Sequence, residues 1–208
     1  MAITLKCKKY HDIIIDSKTT IGICGENYEQ FLNMIRGDNV YYIDKKDISI
    51  TSKELEDIKT NLSNIKGKNI KELSNSDKRL LKYYYMVNSK ASIILIDEPY
   101  LDLDTNNIRK VNNLLKRLVK EGKTIITGSN NSNVIYSLCK KVLLVNSSDL
   151  YYGDISVLTN KKILSKYSIN EPDIITFINE AHKKNINLSY TSDIRYLIKD
   201  VYRNVSKK

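Results

Sequence analysis

The 208-residue sequence is poor in the residues that mark metal clusters, disulfide scaffolds and membrane spans. Its three cysteines, Cys7, Cys24 and Cys139, lie far apart, are odd in number and form no Cys-x-x-Cys pair. Neither a zinc site nor a disulfide framework is indicated, and a reduced, cytosolic interior fits. No apolar run approaches the ~18–20 residues of a spanning helix. The opening "MAITLKCKKYHD" also lacks the apolar core of a signal peptide. The expected location is therefore cytoplasmic, with any association at the inner face of the cell membrane made through a partner. No long basic block occurs either. Thirty-four Lys and Arg against 24 Asp and Glu give a charge of +10, which would suit an anionic partner. The excess is nevertheless spread through a Lys-, Asn-, Ile- and Tyr-rich chain, in pairs such as Lys8–Lys9, Lys140–Lys141 and Lys161–Lys162 and in the tail. Such a bias is compositional, and nucleic acid is not the expected partner.

What the chain does contain is an alternation of strands and helices. "IGICG" (21–25) reads as a short buried strand ending in glycine. "EQFLNMIRG" (29–37) carries Phe31, Leu32 and Ile35 at helical spacing and is expected to stop at Gly37. "NVYYID" (39–44) is strand-like, Thr51–Ile65 is polar and helical, and residues 76–90 form a helix with Leu80, Leu81, Tyr84 and Val87 apolar. A strand at Ile93–Ile96 follows, then a helix ended by Gly122, and the strands "KTIITG" and "KVLLVN" separated by the helical "NVIYSLCK". These strands are continuous apolar runs, so both their faces are covered, the mark of a mostly parallel α/β sheet. Length and apolar content suit one globular domain with a small appendage.

In such sheets ligands bind beyond the carboxyl ends of the strands. The run "SIILIDEPYLDLD" (92–104) places Asp97 and Glu98 at one of those ends. An Asp there can help hold Mg²⁺ and a following Glu can orient an attacking water. Pro99 stops the strand because it has no N–H for the ladder. An exposed turn after a buried strand would look the same taken alone.

The wider context resembles the ATP-binding cassette (ABC) ATPases. "ILIDEPYLDLD" is similar to their Walker B and D-loop segment, with Leu103 and Asp104 at the D-loop positions. "ELSNSDKRLLKYYYMV" stands where that family has its signature and following helix, so that Leu73, Ser74, Asn75, Ser76 and Asp77 form a signature-like stretch. "GKTIITGSNNSNVIYSLCKKVLLVNSSDLYYGD" resembles the strand, switch loop, helix and terminal hairpin, and "RGDNVYYIDKKDIS" the segment after the phosphate-loop helix. Residues 171–203 look like the C-terminal helical extension of energy-coupling-factor ATPases. The resemblance implies a P-loop NTPase-like sandwich with a mostly parallel sheet, a degenerate ABC domain over residues 1–155 and a helical extension over 156–208.

The departures from the family pattern decide the expected activity. A phosphate loop needs GxxxxGK[ST], whose glycines let backbone N–H groups approach phosphate and whose Lys reaches the terminal one. Here Gly25, Glu26 and Asn27 lead into a helix about three residues sooner than the pattern allows. No Gly-Lys pair follows, and Glu26 and Glu29 would repel a triphosphate. Gly122-Lys123-Thr124 is no substitute, because Arg117 stands where a glycine is needed and a strand follows. The histidines are His11 and His182, so the degenerate switch, Gly128–Ser129, has none. The sole glutamine, Gln30, falls in the wrong element for the family's Q-loop. From Gly25 to Ser74 there are 74 − 25 = 49 positions, which implies a shortened helical subdomain.

The implied reading is a catalytically weak or inactive ABC subunit that partners a competent ATPase, as a hetero- or homodimer, on an energy-coupling-factor-type uptake transporter. Asp97 is then a remnant Mg²⁺ ligand and Glu98 a remnant catalytic residue. No cofactor is expected for the chain alone; ATP and Mg²⁺ enter only in a composite site with the partner. Ser74 is at a helix N-terminus where hydroxyl and dipole can meet a γ-phosphate. The same Ser can equally be a plain helix cap. Two alternatives stay open: a regulatory or structural ABC-like protein acting on nucleic acid or the ribosome, and an active ATPase with an unorthodox phosphate loop.

Overall fold

The structure, a computed structural model, describes residues 2–5, 12–35, 37, 39–46, 49–51, 54 and 70–205. It divides into two compact units, one of residues 1–21 and 29–128, the other of residues 22–28 and 129–208. The expected division near residue 155 falls inside the second unit.

In the first unit, β1 (Ala2–Leu5) and β2 (Ile13–Asp16) form an antiparallel ribbon with Ala2 opposite Asp16. The sequence reading had no strands there. α1 (Tyr28–Met34) ends three residues before Gly37. β4 (Val40–Ile43), β5 (Ile93–Asp97) and β6 (Thr124–Gly128) then pair in parallel, with Ile43 level with Ile96 and Asp97 level with Gly128. Every residue of β6, and all of β5 after Ile93, is buried, as strands covered on both faces must be.

Two helices matter most for the site. α2 (Asn75–Val87) buries Arg79, Leu80, Leu81, Lys82, Tyr83 and Met86. Of the apolar residues expected there, Leu80 and Leu81 are buried and Tyr84 and Val87 half-buried, while Arg79, Tyr83 and Met86 are fully enclosed as well. α3 (Thr105–Lys120) packs Val111, Leu114, Leu115 and Leu118 inward against α2 and β6. That spacing is one helical stripe. The helix ends as expected at Gly122, whose φ of +94° a side chain would resist. The helix expected over Thr51–Ile65 lies outside the described residues except at Thr51 and Glu54. Thr51 Oγ1 accepts the Glu54 N–H at 3.2 Å, and Glu54 accepts the Thr51 N–H at 2.7 Å, a capping box.

β3 (Thr20–Gly25) is wholly buried, and β7 (Lys141–Val145) lies in the second unit. The strand order is β4-β5-β6-β3-β7-β8. β8 (Leu150–Asp154) turns back antiparallel to β7, with Val145 opposite Leu150. α4 (Ser132–Leu138), a short 3₁₀ turn (Ile155–Thr159), α5 (Lys161–Lys166), α6 (Asp173–Lys183) and α7 (Ile194–Val205) complete the second unit. Its core joins Cys24, Ile135, Val142, Leu144, Leu158 and Tyr167. A second cluster of Ile178, Ala181, Leu188 and Leu197 seats α7 on α6.

Candidate functional site

The acids of "IDEP" stand where the sequence places them. Asp97 closes β5 and is buried. The Glu98 N–H continues the ladder to the Gly128 carbonyl at 2.9 Å. Glu98 then adopts φ +49°, left-handed backbone that non-glycine residues rarely take. The chain turns sharply, closing through Leu101 N–H to Glu98 O at 3.1 Å and Leu103 N–H to Tyr100 O at 3.1 Å.

A residue that sequence reasoning passed over holds this tip. Arg79 of α2 is fully buried, and its guanidinium donates to backbone carbonyls: Asp44 at 2.6 Å, Asp97 at 2.8 Å and Glu98 at 3.3 Å. Its Nε is buried with no hydrogen-bond partner. One turn on, the buried Tyr83 hydroxyl donates to the Pro99 carbonyl at 2.6 Å, and the Arg79 guanidinium lies 5.9 Å from the Tyr83 ring centre. Burial pushes the Tyr83 hydroxyl well up, outweighing the nearby Arg79 charge, so it stays a donor. The available signal was the stripe 79–83–86 on α2, with a cation at its head.

The signature-like and D-loop-like stretches meet through one serine. Ser76 Oγ donates to Asp104 Oδ2 at 2.9 Å and accepts the Asp104 N–H at 3.1 Å and Asn107 Nδ2 at 2.8 Å. Asp104 caps α3 through the Asn107 N–H at 2.8 Å. That bond first, and the Ser76 hydroxyl next, hold the Asp104 carboxyl below its ordinary range. Ser74 caps α2: its exposed hydroxyl accepts the Asp77 N–H at 3.1 Å and donates to the Asp77 carboxylate at 2.9 Å. Leu73 is buried beside Ile50 and Leu81, Asn75 is exposed, and Leu103 is half-buried.

At the phosphate-loop position, only Glu26 and Asn27 separate β3 from α1. Gly25 has φ +110°, and a Cβ there would lie 2.2 Å from the Val145 carbonyl oxygen, so glycine is required. The Gly25 N–H is taken by the Asn130 side-chain oxygen at 3.1 Å. Glu26 accepts from the Ser168 hydroxyl at 3.3 Å, and Asn27 has φ +61°. Of the switch pair, Gly128 ends β6, while the buried Ser129 bonds its N–H to Ile23 O at 3.1 Å and its Oγ to the Asn131 N–H at 3.0 Å. Lys123 is occupied, donating to the Ser89 and Ala91 carbonyls at 2.9 and 2.6 Å.

No protein-family model matches the chain. Among curated proteins it is 32% identical over 113 residues to an uncharacterised ABC transporter ATP-binding protein of Methanocaldococcus jannaschii, covering 54% of this chain and 43% of that protein. It is 24% identical over 124 residues to an energy-coupling factor transporter ATP-binding protein of Mycoplasmopsis pulmonis, covering 59% and 41%. The chain thus spans less than half the length of these two relatives. Among solved structures it resembles an inward-facing metal-chelate type ABC transporter, with TM-score 0.60 and 17% identity over 76% of this chain and 80% of that one. It also resembles CbiO1 of Clostridium perfringens, part of the ABC transporter complex CbiONQ, with TM-score 0.55 and 15% identity over 81% and 90%. The fold is that of an ABC ATPase domain, and the chain is similar at low identity to ABC transporter ATP-binding subunits.

Proposed function

We propose that the chain is a pseudo-ATPase subunit of an energy-coupling-factor-type uptake transporter, supplying the signature side of a composite site whose phosphate loop belongs to a competent partner ATPase. The observation that carries this reading is the two-residue turn between β3 and α1. A triphosphate with Mg²⁺ does not fit the residues there. The turn has no lysine, its Gly25 N–H is already bonded, and Glu26 adds negative charge. A phosphate cradle works by presenting free N–H donors and a cation together, and this turn contains no cationic residue.

The other half of the machinery is better kept. Ser74 still caps α2 with an exposed hydroxyl, and the neighbouring Ser76–Asp104–Asn107 network holds the D-loop-like stretch against the start of that helix. To meet a partner's γ-phosphate, the Ser74 hydroxyl exchanges the Asp77 carboxylate for a phosphate oxygen. The similarity to an energy-coupling-factor ATP-binding protein points to the transporter class. On this reading the protein's own contribution is positional: it closes a nucleotide site that it does not itself fill.

The test is to co-purify the partner and measure ATP turnover by the complex. Loss of one hydrogen bond to a charged group is worth ~1.5–3 kcal/mol, so Ser74→Ala should slow turnover ~10–100-fold. Ser74→Arg should be more severe, because its bulk blocks closure. Undiminished turnover with both variants would leave only a scaffolding role.

A further inference from the structure

We propose that α7 docks on an anionic membrane surface, its outward row of isoleucine and tyrosine entering the headgroup boundary while a parallel row of cations meets the lipid phosphates. The inference goes beyond the pseudo-ATPase reading and uses none of the residues of the nucleotide site.

The stretch "DIRYLIKDVYR" (193–203) repeats its apolar residues at helical spacing, but on two sides of the helix. Leu197 and Val201, four apart, face α6: Leu197 joins Ile178, Ala181 and Leu188 in a buried cluster, and Val201 packs against it. One such stripe is what a helix needs to be held on one neighbour. Ile194, Ile198 and Tyr202, also four apart, make a second stripe that stays in solvent. With Tyr196 they are between 47% and 68% exposed. Packing on α6 does not account for this row, and an apolar row left outside marks a surface for another partner.

Charge identifies the partner. Arg195, Lys199 and Arg203 each stand one residue after a member of the second stripe, so three exposed cations run alongside it. The helix has one carboxylate, Asp200, which is half-buried and accepts the Ser189 N–H at 2.8 Å. Asp193, just before the helix, is engaged by the Arg195 guanidinium at 2.6 Å. The Lys199 ammonium lies 5.8 Å from the ring centre of Tyr196, and the sequence continues beyond the helix with Lys207 and Lys208. Apolar and basic rows side by side on one helix fit the plane where acyl chains meet phosphates. Each Lys or Arg near anionic lipid adds attraction, and tyrosine suits that plane with an apolar ring and a polar tip. A second copy seated face to face would set cation row against cation row. Nucleic acid would use the cations and leave the isoleucines unmatched.

The experiment sediments the full chain, without nucleotide, with vesicles of equal parts phosphatidylserine and phosphatidylcholine or of phosphatidylcholine alone. Wild type should bind the anionic vesicles only, and less as salt is raised. Removing three charges together, Arg195→Gln, Lys199→Gln and Arg203→Gln, should weaken binding at least about tenfold. The same loss of charge on exposed residues of α3, Arg109→Gln, Lys116→Gln and Lys120→Gln, should change it less than about twofold. Ile194→Ser with Ile198→Ser should also weaken it at least about tenfold. All these side chains are exposed, so circular dichroism and melting should match wild type. Absence of binding by wild type would overturn the proposal. Equal losses in the two charge variants would do so too, by reducing the effect to the general attraction of a basic chain. So would undiminished binding by the isoleucine variant, or a wild-type dimer in sedimentation equilibrium that this variant dissociates. None of these readouts involves a partner ATPase or turnover, so they separate from the test of Ser74.

Discussion

The tip of β5 and the turn after β3 descend from the same kind of position, the carboxyl end of a buried strand, yet they are built very differently. At the β5 tip, buried side chains grip the backbone: Arg79 reaches three carbonyls and Tyr83 a fourth. At the turn after β3, exposed or partly exposed side chains do the holding: the Asn130 amide accepts one N–H, and Glu26 accepts from the Ser168 hydroxyl. The first region supports the packing of α2 and the ends of β4 and β5; the second only joins a strand to a helix. The strand-tip turn is held by buried donors whose loss costs stability, whatever the chemistry of its acids. A phosphate loop is mostly exposed glycine backbone, and little but ligand binding holds it to its length.

The sharpest way to break that contrast is at Arg79. Arg79→Met removes the donors of three backbone carbonyls and leaves them buried, so stability to urea should fall by about 3 kcal/mol or more. A change below about 1 kcal/mol would show the tip to be no better anchored than the turn. The smaller effect is expected at Asn130. Asn130→Ala frees one N–H at a partly exposed site, where water can replace the lost partner, and should cost about 0.5–1 kcal/mol by the same measurement. If the order of the two were reversed, the turn would be the structural element and the tip the relic.

Much of the fold was legible because its strands are unbroken apolar runs and its helices carry clear stripes. "IGICG", "IILID" and "TIITG" are buried strands, and Gly122 ends its helix. The ribbon β1–β2 was missed because "AITL" and "IIID" are four-residue segments too short to show a period. α2 was placed correctly, with Leu80 and Leu81 buried, but its buried face reaches further than the apolar residues showed, since an arginine is not expected to lead an inward stripe. Of the candidate site, the apolar run placed Asp97 and Glu98 at a strand end, and the resemblance to ABC ATPases singled out Ser74 and Gly25. Their supports were not legible in this way. Arg79 and Asn130 bond backbone groups distant in sequence, and Asn107 bonds the hydroxyl of Ser76, 31 residues away.

The most direct measurement of the central claim is a calorimetric titration of the isolated full chain with MgATP. A working cradle supplies several hydrogen bonds to charged phosphate oxygens, each worth ~1.5–3 kcal/mol. Without them, no binding should be detected up to roughly millimolar nucleotide. Micromolar binding that disappears in Asp97→Ala would contradict the account, and would mean that the short turn after β3 still holds a triphosphate.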